Sequence, residues 1–100
     1  MTSFKINWTD EAKYTFNENI EYLKDEWDLK TIHDFFDRVD EVQESISQNP
    51  KLYPVYRKSD QTRKCVLNKH ITLFYRVVST SRIDFITFWN SHKDPKNRKV

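Results

Sequence analysis

The side chains able to carry chemistry in this 100-residue chain are few: His33, His70 and His92, the single cysteine Cys65, and arginines of which Arg63 and Arg76 fall in strand-like runs. The histidines are widely scattered, and HExxH, SxxK and paired metal ligands are all absent, so neither a metal site nor an activated nucleophile is expected. The chemistry left open needs no protein nucleophile. A ribose 2′-hydroxyl attacks its own phosphate when cations and an acid or base surround it, and Arg63, Arg76 and His92 are the candidate catalytic residues for such a cut. For each, the competing reading is a solvated or partner-binding surface group. His70, beside a tight turn, and His33, within a helical run, read as structural. Cys65 reads as a small buried hydrophobe. Glu18, Glu21, Asp25 and Glu26 read as the solvated side of a helix rather than a hydrolase pair.

Composition narrows the classes further. There is no glycine, so a phosphate-cradling loop, a GxGxxG turn and a GxSxG elbow are all excluded, and no cofactor is expected. One cysteine excludes an internal disulfide framework and paired CxxC zinc ligands, which suits a reducing compartment. Neither a signal-peptide pattern nor a run of about 18 apolar residues occurs, so a cytoplasmic protein with no membrane association is expected. Hydrophobic residues make up 37% and aromatic residues 15% of the chain, enough large side chains for one packed core and against disorder. The net charge of +2 hides a polarity: residues 1–50 carry five Lys/Arg against twelve Asp/Glu, and residues 51–100 carry twelve against three. The basic half points to an anionic partner, unless the halves neutralise each other within the fold.

The elements that must position these residues follow from periodicity. Phe4, Ile6 and Trp8 alternate with polar residues as a short strand. Thr9 is a candidate N-cap, with Asp10 and Glu11 in the first turn of a helix whose apolar stripe is Ala12, Phe16, Ile20, Leu23 and Trp27. Asp28 caps a second helix with apolar Ile32, Phe35, Phe36, Val39, Val42 and Ile46, ended by Asn49-Pro50. Three strands follow over Arg63 to Leu67, Ile71 to Val78 and Ile83 to Trp89, joined by Asn68-Lys69 and Ser79 to Arg82. Without glycine, the turns must be made by residues such as Ser59, Asp60, Asn68 and Ser79 to Ser81, where Asn and Asp best tolerate a left-handed backbone. The chain is expected to be a single α+β domain over residues 1–93, with a helical hairpin on one face of a mainly antiparallel four-stranded sheet, and a fraying polar tail over 94–100.

Pairing Val78 with Ile83 places Ile71, Leu73, Tyr75, Val77, Ile86 and Phe88 on the face that receives the helices. The outer face then holds Thr72, Phe74, Arg76, Phe85, Thr87 and Trp89. A two-residue Asn68-Lys69 turn adds Arg63 and Cys65 to it. Such an amphipathic, basic surface suits a partner segment or a nucleic acid. A one-residue bulge would swap these faces.

The order of several short segments resembles one known family along nearly the whole chain. Ile20-Glu21-Tyr22, Glu26-Trp27, Asn49-Pro50, Lys69-His70, Phe74-Tyr75-Arg76-Val77, Phe88-Trp89 and Asp94 together resemble the RelE/ParE superfamily of bacterial type II toxins, linked to plasmid stabilisation. The resemblance implies a βααβββ domain and one of two activities: ribosome-dependent mRNA cleavage in RelE-like members, or poisoning of DNA gyrase without nuclease action in ParE-like members. Carried over by position, the two strand lysines of the nuclease pattern fall on Arg63 and Cys65, the strand arginine on Thr72, and the arginine after the last strand near His92. Only Arg63 keeps the cation, and no tyrosine follows His92. The long hairpin with Glu26-Trp27 is similar to ParE-like members, although Asn90 and His92 stand where those commonly show histidine and arginine. The reading that follows is a ParE-like toxin that poisons DNA gyrase, with a RelE-like ribosome-dependent mRNA endoribonuclease as the alternative, so enzymatic activity stays open and the target is DNA gyrase or the ribosome. Its partner would be a cognate antitoxin whose acidic or amphipathic C-terminal segment covers Arg57, Lys58, Arg63, Thr72, Phe74, Arg76, Phe85 and Trp89. A dimer or a toxin–antitoxin hetero-oligomer is the expected assembly.

Overall fold

The computed structural model describes residues 3–92, so the expected tail lies outside the described residues. The elements run β1 (Lys5–Trp8), α1 (Asp10–Glu26), α2 (Leu29–Gln48), β2 (Val55–Arg57), β3 (Thr62–Val66), β4 (Ile71–Val77) and β5 (Arg82–Asn90). They form one five-stranded sheet in the order β1-β5-β4-β3-β2. β1 runs parallel to β5, and the other neighbours are antiparallel. The expected four strands are all present; the short β2, whose run contains Tyr56 and Arg57 after Pro54, is the addition.

Local chemistry explains the hairpin. Thr9 Oγ1 accepts the Ala12 N–H at 3.1 Å, and Asp28 accepts the Thr31 N–H at 2.9 Å, so each helix begins on a side chain that satisfies an orphan donor. Only Trp27 and Asp28 separate the two helices, which forces them back alongside each other. Of the stripe its spacing predicts, α2 leaves Phe36 exposed and buries Ile32, Phe35, Val39, Val42 and Ile46. They pack on Ile71, Leu73, Tyr75, Ile83, Phe85 and Phe88 of the sheet. Burial pushes the Tyr75 phenol up to about 12, so it stays a neutral donor to the Pro50 carbonyl at 2.8 Å.

α1 differs from α2 in burying a polar residue. Asn19 is 2% exposed, while Phe16 and Ile20 are only partly buried. The reason lies in β5, which pairs with β1 only from Arg82 to Phe85 and has no strand neighbour on that side beyond it. Thr15 Oγ1 accepts the Phe88 N–H at 2.9 Å, and Asn19 Nδ2 donates to the Phe88 carbonyl at 2.9 Å. Thr9 Oγ1 donates to the Phe85 carbonyl at 2.8 Å. Side chains of the helix and its cap thus replace the missing strand, because buried backbone groups left unpaired are costly.

The sheet register departs from the sequence expectation in two places. The β3–β4 connection spans residues 67–70, not two residues, which pairs Cys65 with Leu73 and Arg63 with Tyr75. A tight two-residue turn with both residues at positive φ is unfavourable without glycine. Here Asn68 Oδ1 instead accepts the His70 and Ile71 N–H groups, each at 2.9 Å. Arg63 and Cys65 therefore sit on the helix-covered face, not the outer one, and Cys65 is fully buried. Secondly, β5 carries a bulge between the pairs Phe74–Thr87 and Tyr75–Phe85. The Thr72–Trp89 and Phe74–Thr87 pairs stand as expected, but past the bulge Val77, not Val78, faces Ile83, and Phe85 turns into the core. Among the described residues the left-handed backbone falls on Gln61, at φ 60, and not on an Asn or Asp.

Replacing Asn19 with Leu removes the side-chain partner of the Phe88 carbonyl and the Asn19 Oδ1 that accepts from the Asn90 amide, and should cost about 2–4 kcal/mol. The check is urea unfolding, with the exposed Tyr14→Ala variant expected to stay within about 0.5 kcal/mol of the parent.

Candidate functional site

The outer face is built from β2 to β5, with Arg57 and Thr62 opposite each other at one edge and Thr72 opposite Trp89 towards the other. It is not a bare apolar surface. Phe74 is only 1% exposed, because Tyr56 lies edge-on over it with ring centroids 4.8 Å apart. Lys64 Nζ stands 5.8 Å from the Tyr56 ring centre, within cation–π range. Thr62 and Thr87 are also buried on this side.

Charge on this face is organised by Asp60, in the turn before β3. Arg57 donates to both carboxylate oxygens, Arg76 Nη2 donates to Oδ2 at 2.9 Å, and the Thr62 hydroxyl donates to Oδ1 at 2.7 Å. The Arg57 contact first, and then Thr62, hold the Asp60 carboxyl well below the ordinary carboxylate range, and the same pairing raises Arg57. The basic half of the chain thus supplies its own counter-ion, and two of the expected binding arginines share one carboxylate.

The remaining expected residues spread out. Lys58 is exposed in the turn that holds Asp60. Arg63, at the margin of the helix-covered face, donates from Nη1 to the Tyr53 carbonyl at 2.7 Å and so pins the segment that leads from α2 to β2. Phe85 is wholly buried in the core. Thr72 and Trp89 keep their outer positions, both partly exposed. Arg63, Cys65, Thr72 and His92, the four positions of the nuclease pattern, do not converge on one point of the surface.

His92 instead meets residues that sequence reading set aside. Its ring stacks on His70, with centroids 5.0 Å apart and planes 18° off parallel. The Tyr22 hydroxyl lies 3.2 Å from His70 Nδ1, and Trp27 packs edge-on against the same imidazole. A buried relay fixes this cluster: Asn90 Nδ2 donates to Asn19 Oδ1, and Asn90 Oδ1 accepts the His92 N–H at 3.0 Å. Burial first, then the His92 and Lys69 charges, depress the His70 pKa. No local pattern could have joined residues 22, 27, 70 and 92. Among the described residues no three His, Cys, Asp or Glu side chains are grouped to hold a metal ion, and no helix is long and apolar enough to cross a membrane.

A two-helix hairpin on one face of a sheet that combines a parallel first strand with antiparallel neighbours defines the class. No family model matches the sequence, and neither does any curated protein. Solved structures do match. The chromosomal ParDE toxin–antitoxin system from P. aeruginosa aligns at TM-score 0.70 and 11% identity, over 88% of this chain and 96% of that one. The YoeB/ParE toxin from Agrobacterium tumefaciens aligns at TM-score 0.62 and 13% identity, over 87% and 98%. The YoeB–YefM complex from Staphylococcus aureus aligns at 0.55 and 16%, over 86% and 94%. This chain has the fold of the RelE/ParE-superfamily toxins.

The depressed Asp60 carboxyl carries a sign. An unfolded aspartate takes up its proton near 3.8, whereas Asp60 releases its proton at lower pH in the fold, so its contribution is complete above that value and is lost as pH falls below it. Unfolding midpoints measured across pH 2 to 6 should drop on the acid side, less steeply for Asp60→Asn than for the parent. Parallel curves would remove Asp60 from the acid transition.

Proposed function

We propose that this chain is the toxin of a type II toxin–antitoxin system that acts through protein contacts, as ParE-like members do, with DNA gyrase as the target. The observation that carries the reading is the commitment of the cations. Transition-state stabilisation at a phosphodiester needs convergent positive groups at the developing dianion. Here Arg57 and Arg76 are held by Asp60, Arg63 by the Tyr53 carbonyl, and Cys65 lies in the core. The similar solved structures include a ParDE system and a YoeB–YefM complex, which supports an antitoxin as partner. Its acidic, amphipathic segment would lie on the outer face, over Tyr56, Lys58, Lys64, Thr72 and Trp89, in a toxin–antitoxin hetero-oligomer.

One observation favours a second reading, a ribosome-dependent endoribonuclease. His70 and His92 stand together beside Lys69, which would supply an acid, a base and a cation for 2′-hydroxyl attack.

Induction in a bacterial host should arrest growth, and purified protein should inhibit gyrase supercoiling while leaving mRNA intact on programmed ribosomes. Ribosome-dependent cleavage that is lost in His92→Ala would replace the first reading by the second. No growth arrest and two negative assays would remove both.

A further inference from the structure

Trp27, at the end of α1, and the β3–β4 turn enclose a cavity of about 300 Å³ lined by Leu23, Trp27, Thr31, Asn68, Lys69 and His70. It lies at the tip of the helical hairpin, apart from the residues expected to bind a partner on the outer sheet face. Its walls are mainly apolar, and its volume suits one large side chain. Leu29, two residues beyond Trp27, is exposed at the same tip.

Three side chains at this cavity, Trp27, Asn68 and Lys69, offer donors. The Trp27 Nε1–H is buried and has no acceptor among the described residues. Asn68 has spent its oxygen on the His70 and Ile71 N–H groups, which leaves its amide nitrogen to donate. Thr31 gives its hydroxyl proton to Asp28. Lys69 Nζ stands 5.1 Å over the Trp27 ring, and burial first, then His92 and Lys69, oppose protonation of His70. An apolar hole beside an unused donor and the Lys69 ammonium calls for a ligand that brings an apolar body, a carbonyl or carboxylate acceptor, and a negative charge.

We propose that this cavity is an anchor pocket for an apolar side chain next to a carboxylate, contributed by an acidic segment of a partner protein. The identification of that partner as the antitoxin rests on the toxin reading above; the pocket's chemistry does not. The apolar side chain fills the space against Leu23 and the Trp27 indole. The adjacent carbonyl or carboxylate accepts from Trp27 Nε1, and the negative charge pairs with Lys69. A nucleotide is the poorer fit, because a base edge needs acceptors as well as donors from the protein, and Asn68 has turned its oxygen inward.

The test is a titration of the ¹⁵N-labelled full chain at neutral pH, read at the Trp27 indole N–H, which is assigned by its loss in Trp27→Phe. The probes are N-acetyl-leucine, N-acetyl-leucinamide and adenosine 5′-monophosphate. N-acetyl-leucine should shift the Trp27 signal saturably, with a dissociation constant on the order of 1 mM, and leave that of Trp8 unmoved, since Trp8 Nε1 already donates to Gln43. The uncharged amide should bind about fivefold more weakly. Lys69→Gln should bring the acid down to the level of the amide without changing the amide itself. Absence of a saturable shift, equal binding of acid and amide, or tighter binding of the nucleotide would each overturn the proposal. Saturable binding without growth arrest on induction keeps the pocket and removes the toxin reading; growth arrest without binding does the reverse.

Discussion

The structure depends on how the free edge of β5 is closed. β1 covers only the first part of that strand, and the rest would present unpaired backbone to the helix packed on it. Thr9, Thr15 and Asn19, on one helix and its cap, supply the missing partners at 2.8 to 2.9 Å. A helix can do this only at one rotation and one height, so these bonds fix where α1 sits and therefore where the hairpin returns as α2. The hydrophobic contacts of Leu23, Phe35 and Val39 add more area, but area alone is non-directional.

The same closure organises both ends of the candidate surface. At the C-terminal end of β5, the Asn19–Asn90 pair passes its constraint to His92, which stacks on His70, a wall of the Trp27 cavity. Next to the β1 end, the bulge turns Phe85 inward beside Trp8 and Phe88. That inward turn takes an aromatic away from the outer face, where Tyr56, Phe74 and Lys64 form a separate small cluster instead.

Much of the architecture was legible in the residues. The caps Thr9 and Asp28, most of the stripe of α2, the hairpin succession of the last three strands and the Phe74–Thr87 pair all follow from local rules of hydrogen bonding and periodicity. The faces were not legible, because a strand's side-chain period is two and a single added residue inverts everything beyond it. One inversion came from Asn68, whose side chain builds a longer turn than the count of polar residues suggested. The other came from a bulge that leaves no signature in a run as uniformly β-forming as Ile83 to Trp89. The Asp60 network was hidden for a different reason: a carboxylate among arginines reads as a turn residue until the sheet brings Arg76, sixteen positions away, onto it.

The central claim is that register, rather than the number of cations, decides what the outer face can do, and Cys65 reports on it directly. Paired with Leu73, its thiol is buried in the core, and burial pushes its pKa up. Paired one residue over, it would lie on the open face beside Thr72. The rate of reaction with a thiol-specific disulfide reagent separates the two. The account predicts that the native protein stays unreactive and releases its single equivalent only on unfolding in denaturant. Prompt stoichiometric labelling of the folded protein would contradict it.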